Sequence, residues 1–406
     1  MSTSQKAGTA VLIISFVLML AGMTSPLLAY IMKSYPEIDP GTAMRVLTLP
    51  ALIALIISFA VGPIATKINK KLLLIFSSGC VLIYFAVFAV VGSNGPFSML
   101  LVAAGIVGIC QGSGLTLISS IIGEFIEGAK RATVIALSMA MMNGGGAIIS
   151  LLGGVIAAGN DGANWPYAYY LGILVIPAMI LFWIIMPWKP DAAAEVHGDM
   201  AAAAKSGGIP IRAMLMILLA AVFFICIASF MLNVSIYVIS EYELGTSVES
   251  GLANSLFTIL GIVAGFSFAL FAKVFRKWIV FTGFAITTLG LLMMVLINTS
   301  LVGIYVGAAL MGLGFGLANP YLMAQIIGLT PPRLVPIALS LMAGSVNLGM
   351  FFAMDILGFL SRFTSGGLKG ILTVSTIIAA ICTVLSIFLF VFTRVTQPAA
   401  PDEGKL

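Results

Sequence analysis

The chain has 406 residues, 61% of them hydrophobic and only 8% charged, with a formal net charge of +5. A soluble fold of this length has too little interior to hide so much apolar surface, so lipid must be part of its solvent. The basic residues lie singly or in short clusters between apolar runs, with no basic face, which argues against a nucleic-acid partner. Cys80, Cys110, Cys226 and Cys382 all fall inside apolar runs without metal-ligand spacing, and the single histidine, His197, lies in a polar stretch. No metal site, histidine-based catalytic triad or cofactor is therefore expected, and the chain is not expected to be an enzyme.

A membrane-spanning helix needs about 20 mostly apolar residues. The first apolar run, near 9–33, is longer than a signal-peptide core and lacks a convincing cleavage site, so it reads as a retained helix. Further spans are expected near 43–64, 71–93, 98–123, 132–158 and 166–188. A polar, alanine-rich stretch follows, and then six more spans near 212–239, 248–272, 277–298, 300–328, 334–360 and 370–394. The expected organisation is an N-terminal six-helix bundle (1–188), a cytoplasmic linker (189–211), a C-terminal six-helix bundle (212–394) and a cytoplasmic tail (395–406).

Lysine and arginine placement sets the orientation. With the N-terminus inside, fifteen of the 19 basic residues fall on cytoplasmic segments, and only Lys33, Arg45, Arg362 and Lys369 fall on the opposite side. Both termini are expected in the cytoplasm, with the chain a multi-pass protein of a bacterial cell (inner) membrane.

The two groups of six spans resemble each other. Tyr30-Ile-Met-Lys-Ser-Tyr35 is echoed by Tyr237-Val-Ile-Ser-Glu-Tyr242, and Lys67-Ile-Asn-Lys-Lys71 by Lys273-Val-Phe-Arg-Lys277. Arg131 stands four residues before Ile135-Ala-Leu-Ser138, as Arg333 does before Ile337-Ala-Leu-Ser340. The order and the nearly constant offset indicate a duplicated six-helix unit. Because six is even, the repeat is parallel, which implies two bundles able to rock about a site between them.

The loop after span two reads Gly62-Pro-Ile-Ala65-Thr66-Lys67-Ile68-Asn69-Lys70-Lys71. It resembles the signature loop of the major facilitator superfamily, with Thr66 in place of the usual aspartate and Asn69 in place of the second glycine. In that family the loop latches the two bundles on the cytoplasmic side, and a threonine cannot supply the negative charge. The basic cluster is equally accounted for as a positive-inside anchor. Gly123-Glu124-Phe-Ile-Glu127-Gly-Ala-Lys130-Arg131 also looks like the family's loop between spans four and five, although its acid–base alternation reads first as a solvated surface patch. Span five carries Asn143-Gly144-Gly145-Gly146 and Gly153-Gly154, read as sites of close helix packing. Ile149-Ser150 stands where the family's proton antiporters have a Gly-Pro pair.

The resemblance implies an all-α membrane protein with twelve transmembrane helices in two parallel six-helix bundles. It also implies a central cavity lined by spans one, four, seven and ten. In this sequence those spans offer Thr24, Ser25, Tyr30, Gln111, Ser113, Thr116, Asn233, Ser235, Tyr237, Asn319, Tyr321 and Gln325. Of these, Tyr30, Gln111, Asn233, Tyr237, Asn319, Tyr321 and Gln325 are the cavity candidates, and Pro26 and Pro320 are expected to interrupt spans one and ten nearby. An uncharged lining suits a neutral, zwitterionic or amphipathic small molecule better than a multiply charged one.

Arg45, near the outer start of span two, and Asp355, near the outer end of span eleven, are charges inside predicted spans. One reading is that both merely reach the outer interface. In the family's geometry they face each other across the bundles, which implies an outer gate. Asp355 is then the candidate protonation site, because protonation would weaken that latch. The expected function is alternating-access transport of a small organic solute by a monomer in the bilayer. Import by symport, proton-coupled export of drugs or metabolites, and uncoupled facilitation all remain open.

Overall fold

A computed structural model of the protein describes residues 2–65, 67–126, 129–188, 209–275, 278–331 and 334–392. Twelve of its helices are long and apolar enough to cross a membrane. They are α1 (Thr3–Ser34), α2 (Pro40–Ala65), α3 (Lys70–Val91), α4 (Phe97–Phe125), α5 (Thr133–Ala157) and α6 (Trp165–Ile185), followed by α7 (Ile211–Met231), α8 (Ser247–Phe266), α9 (Ile279–Leu296), α10 (Leu301–Leu329), α11 (Ile337–Ser361) and α12 (Gly367–Phe388). A lipid-facing backbone must satisfy its own polar groups, so sequences this apolar fold as helices across hydrocarbon. Side-chain caps open several of them: Ser2 and Gln5 form a capping box on α1, and Thr246 and Glu249 form one on α8.

The helices alternate in direction. The end of the bundle that carries the start of α1 and the end of α12 is called here the terminal face, and the opposite end the distal face. Two hydrophobic cores divide the fold, one built from α1–α6 and the other from α7–α12. Ile239, just beyond α7, packs against both. Most of the linker at 189–211 and the tail from 393 onward lie outside the described residues.

Three spans are not continuous α-helices: α6 passes through a 3₁₀ stretch at Tyr169–Leu174, α1 is interrupted near Pro26 as expected, and α7 breaks where a continuous helix was expected. In α1 the backbone tightens into a 3₁₀ turn at Leu20–Met23. Pro26 explains the position, because its ring lacks an N–H and crowds the carbonyl four residues back, at Gly22. In α7 the α-helix stops at Met231 and the chain resumes as a π-helical turn at Ile236–Glu241. Pro320, in contrast, does not interrupt its span: α10 runs unbroken from Leu301 to Leu329. Prolines are tolerated within membrane helices where neighbours re-satisfy the freed backbone group.

The 3₁₀ turn of α1 is followed by a buried hydroxyl knot. Thr24 Oγ1 shares hydrogen bonds with the phenols of Tyr84 on α3 and Tyr169 on α6, the latter at 2.8 Å. Phe85, Phe88 and Trp165 pack around the two tyrosines. Thr24, one of the polar residues that span one offers, is thus an internal strut of the first half. Removing one hydroxyl from a fully buried set strands the others, whereas removing all of them does not. Thr24→Val is therefore expected to destabilise the protein by about 1–3 kcal/mol, seen as a lower melting temperature in detergent. The triple variant Thr24→Val/Tyr84→Phe/Tyr169→Phe should recover part of that loss.

Candidate functional site: the seam between the halves

The hydrogen bonds that join the two halves among the described residues lie toward the distal face. At one edge, Arg45 on α2 meets Asp355 on α11. Its Nη2 donates to both carboxylate oxygens at 2.9 Å, and its Nη1 donates to the Phe351 carbonyl at 3.2 Å. The guanidinium also lies 4.7 Å from the centroid of the Phe351 ring. The side chains are 32% and 49% exposed, which places the pair at the rim rather than in the interior.

At the centre, the broken parts of α1 and α7 meet. Ser25 donates its hydroxyl to the carbonyl of Met231, the last residue of α7, and the Ala29 amide donates to Ser235 Oγ at 3.0 Å. Each half thus completes backbone or hydroxyl bonding in the other.

At the opposite edge α5 packs along α8. Ser247 donates to the Gly154 carbonyl at 2.6 Å, Asn254 Nδ2 to Ser150 Oγ at 2.9 Å, and Ser255 to the Ala147 carbonyl at 2.8 Å. A Cβ on Gly154 would collide with the Ser247 carbonyl, and one on Gly251 would lie 2.7 Å from the Ser150 carbonyl. Gly154 therefore serves close backbone approach across the seam, whereas Gly153 makes room for the Met23 side chain within the first half. Tyr30 joins this edge: its phenol accepts from the Ser247 amide at 3.4 Å, and its ring lies against Gly162, held at φ +88°.

Beneath the rim sits an apolar plug. Ala228, Leu232 and Ala353 are buried there against Leu47, Ile225, Met350 and Met354. Exposure along α1 follows the same polarity. Gln5, Thr9, Leu12, Phe16, Met19 and Gly22, spaced three or four apart on one face, are exposed or half-buried, whereas residues 23–31 are all buried. Along Thr3–Leu18 the helices of its own half around α1 are α3, α4, α5 and α6. The uncovered stripe runs from the terminal face to mid-span and stops where α7 closes over it.

The remaining candidates are dispersed. Asn233 is buried at the break in α7, donating to the Ser229 carbonyl at 2.9 Å and to the Met354 thioether at 3.2 Å. Tyr237 is buried in the second core and donates to the Leu368 carbonyl at 3.1 Å, a contact internal to that half. On α10, Tyr321 and Gln325 are buried and Asn319 is half-buried; Gln111 on α4 is half-buried. Ser113, also named from sequence, bonds Ser77 within the first half at 2.7 Å.

On the terminal face, Gly62 is buried and Lys67 exposed. Lys70 pairs with Glu124 on α4. Lys71 is buried, donates to the Met186 carbonyl at 2.8 Å, and lies 4.5 Å from the Trp183 ring and 5.9 Å from the Trp188 ring. Arg131 caps the end of α4 through the carbonyls of Gly123, at 2.7 Å, and Ile126, at 3.1 Å. All of these contacts are within the first half. Thr66, Glu127 and Arg333 lie outside the described residues.

The family model described as Major Facilitator Superfamily matches residues 10–239 and again residues 218–406. The chain belongs to the major facilitator superfamily. The double match coincides with the two cores, and the superfamily makes the protein a multi-pass membrane transporter. Its fold is similar to that of the nucleoside transporter NupG, solved as a crystal structure of a point mutant, with a TM-score of 0.73 at 11% sequence identity over 95% of this chain and 100% of that one. No curated protein matches the sequence.

The seam was partly hidden from sequence reasoning. Ser247, Asn254 and Ser255 belong to no motif. Their signal was small residues at three- to four-residue spacing along α8, opposite the glycines of α5. A side chain at Gly154 is expected to wedge the halves apart. Gly154→Val should widen the distal separation of spin labels placed on α5 and α8, read by pulsed dipolar spectroscopy, while leaving the protein folded.

Proposed function

We propose that the protein carries a small organic solute across the membrane by alternating access, and that the structure represents the state closed at the distal face. The terminal face is cytoplasmic in this reading, so the uncovered stripe of α1 opens toward the cytoplasm. The observation that carries it is the concentration of the contacts between the halves in the distal half of the spans.

Arg45 and Asp355 act as the outer latch. One guanidinium nitrogen, Nη2, serves both carboxylate oxygens, and the pair sits at an interface rather than in bulk hydrocarbon, so its contribution is of the order of 1 kcal/mol. That is small enough to be broken in every cycle. Protonation of Asp355 would release it, which is how protons would couple to opening. The solute is small and neutral, zwitterionic or amphipathic. The cavity candidates Gln111, Asn319, Tyr321 and Gln325 provide hydrogen bonds without a counter-charge, and a multiply charged solute would need one. The domain limits at 188, 211 and 394, the monomeric state and the bacterial inner membrane belong to the same proposal.

Two measurements test it. Proteoliposomes screened against neutral, zwitterionic and amphipathic solutes, nucleosides among them, with and without a pH gradient, should accumulate at least one. Failure of every solute with folded protein would remove the transport reading. Arg45→Asp and Asp355→Arg should each shift the population toward the distal-open form about fivefold, by about 1 kcal/mol. The double reversal should restore the wild-type ratio, and identical behaviour of all three variants would remove the latch.

A further inference from the structure

The seam is held by hydrogen bonds and an ion pair, yet two of its polar atoms are left with nothing. Asn233 is completely buried, and its Oδ1 has no hydrogen-bond partner. Its amide is poorly placed as well, with one donor on the Ser229 carbonyl and the other on a thioether, a weak acceptor. Thr48 on α2 is 1% exposed, and its Oγ1 is also unpartnered. It lies one heptad before Leu55, which faces Gly344 on α11 across the seam, and one turn after Arg45. One stranded oxygen therefore belongs to each half, Asn233 following Leu232 of the apolar plug and Thr48 following Leu47, which packs against it.

A polar atom shut away from water without a partner is more costly than a hydrogen bond is favourable. Native structures leave few such atoms, and each one calls for a physical reason. A conformational reason fits both. When α2 and α7 part from α11 and α1 at the distal face, water reaches both oxygens; when they close, both are stripped of it.

We infer that Asn233, seconded by Thr48, is a positioning residue of the transport cycle: its dehydrated oxygen destabilises the distal-closed state and so keeps the distal face able to open. The latch residues and these oxygens act in opposite senses. Arg45, Asp355, Ser25 and Ser247 favour closure, and the stranded oxygens offset part of that preference. The seam is thereby kept near balance, which a carrier requires, since a state favoured too strongly ends the cycle. This inference rests on reading the distal seam as a gate.

The test uses the full-length protein with its four native cysteines replaced by alanine and a single reporter, Ala228→Cys, in the buried plug. A membrane-impermeant thiol reagent is applied from the distal face, and its labelling rate follows the distal-open fraction. Asn233→Leu removes the stranded oxygen and should slow labelling about tenfold. Thr48→Val, nearly isosteric, should slow it in the same sense by a smaller factor. Asn233→Asp keeps the oxygen and adds a charge that cannot remain in the plug, so labelling should accelerate.

Opposite responses of Asn233→Leu and Asn233→Asp separate this role from loosened packing, which would accelerate both. Unchanged or faster labelling in Asn233→Leu and Thr48→Val would overturn the inference while leaving the gate intact. If Asn233→Leu does not fold, Thr48→Val carries the test alone. A reporter never labelled in the reference protein would overturn both this inference and the gate.

Discussion

The distal seam depends on each half supplying hydrogen-bond partners that the other half lacks. In hydrocarbon an unsatisfied backbone group costs several kcal/mol, so a membrane helix breaks only where something else completes it. Here α1 tightens at Leu20–Met23 and α7 ends at Met231. The Met231 carbonyl receives Ser25 from the other half, and Ser235 receives the Ala29 amide. The two irregular helices are thus stabilised by meeting each other, and separation exposes groups that only water or solute can then satisfy. Opening at this face is tied to hydration for that reason.

The two edges of the seam solve the same contact problem differently. Along α5 and α8 the backbones approach closely through Gly154 and Gly251, and short hydroxyl and amide side chains bond directly to carbonyls or to one another. Such contacts are individually modest in membranes, on average about 0.6 kcal/mol, but here several act together. Along α2 and α11 the contact is made by long side chains, with Arg45 reaching Asp355 and Phe351, and Leu55 and Phe59 lying over Gly344. Long side chains can follow a small separation without losing contact, whereas glycine-mediated backbone contact is lost within a fraction of an ångström. The α5/α8 edge therefore defines the closed geometry, and the α2/α11 edge tolerates movement around it.

The fold was legible because lipid imposes a length and a composition that few sequences meet by chance. Hydropathy located all twelve spans to within a few residues for most ends, and the echo of residues 30–35 in residues 237–242 marked the duplication. The seam was less legible. Arg45 and Asp355 stood out because charge is rare within apolar spans, and the structure sets them side by side. Uncharged residues gave no comparable signal: Thr24 and Asn233 look alike in sequence, yet one is a strut inside the first half and the other borders the seam. Ser150, noticed as a departure from an antiporter pattern, is a seam residue that accepts from Asn254. Which neighbour a small polar side chain meets depends on helix rotation and tilt, and those are set by packing rather than by local pattern.

The placement of charge also bears on what drives the cycle. Among the described residues, charged side chains of the spans lie near the faces, with Arg45 and Asp355 at the distal rim and Lys70, Lys71 and Glu124 at the terminal face. Moving an elementary charge across the whole membrane potential is worth about 2.3 kcal/mol per 100 mV. Groups that stay within a few residues of either interface traverse only a small fraction of that field when the halves rock. The protein's own rearrangement is then nearly electroneutral, and any voltage dependence of transport would come from the charge of the solute or coupling ion it carries. An uncharged interior with a charged rim makes the balance between the two states a matter of hydration and packing at the seam, where Asn233 and Thr48 sit opposite the latch.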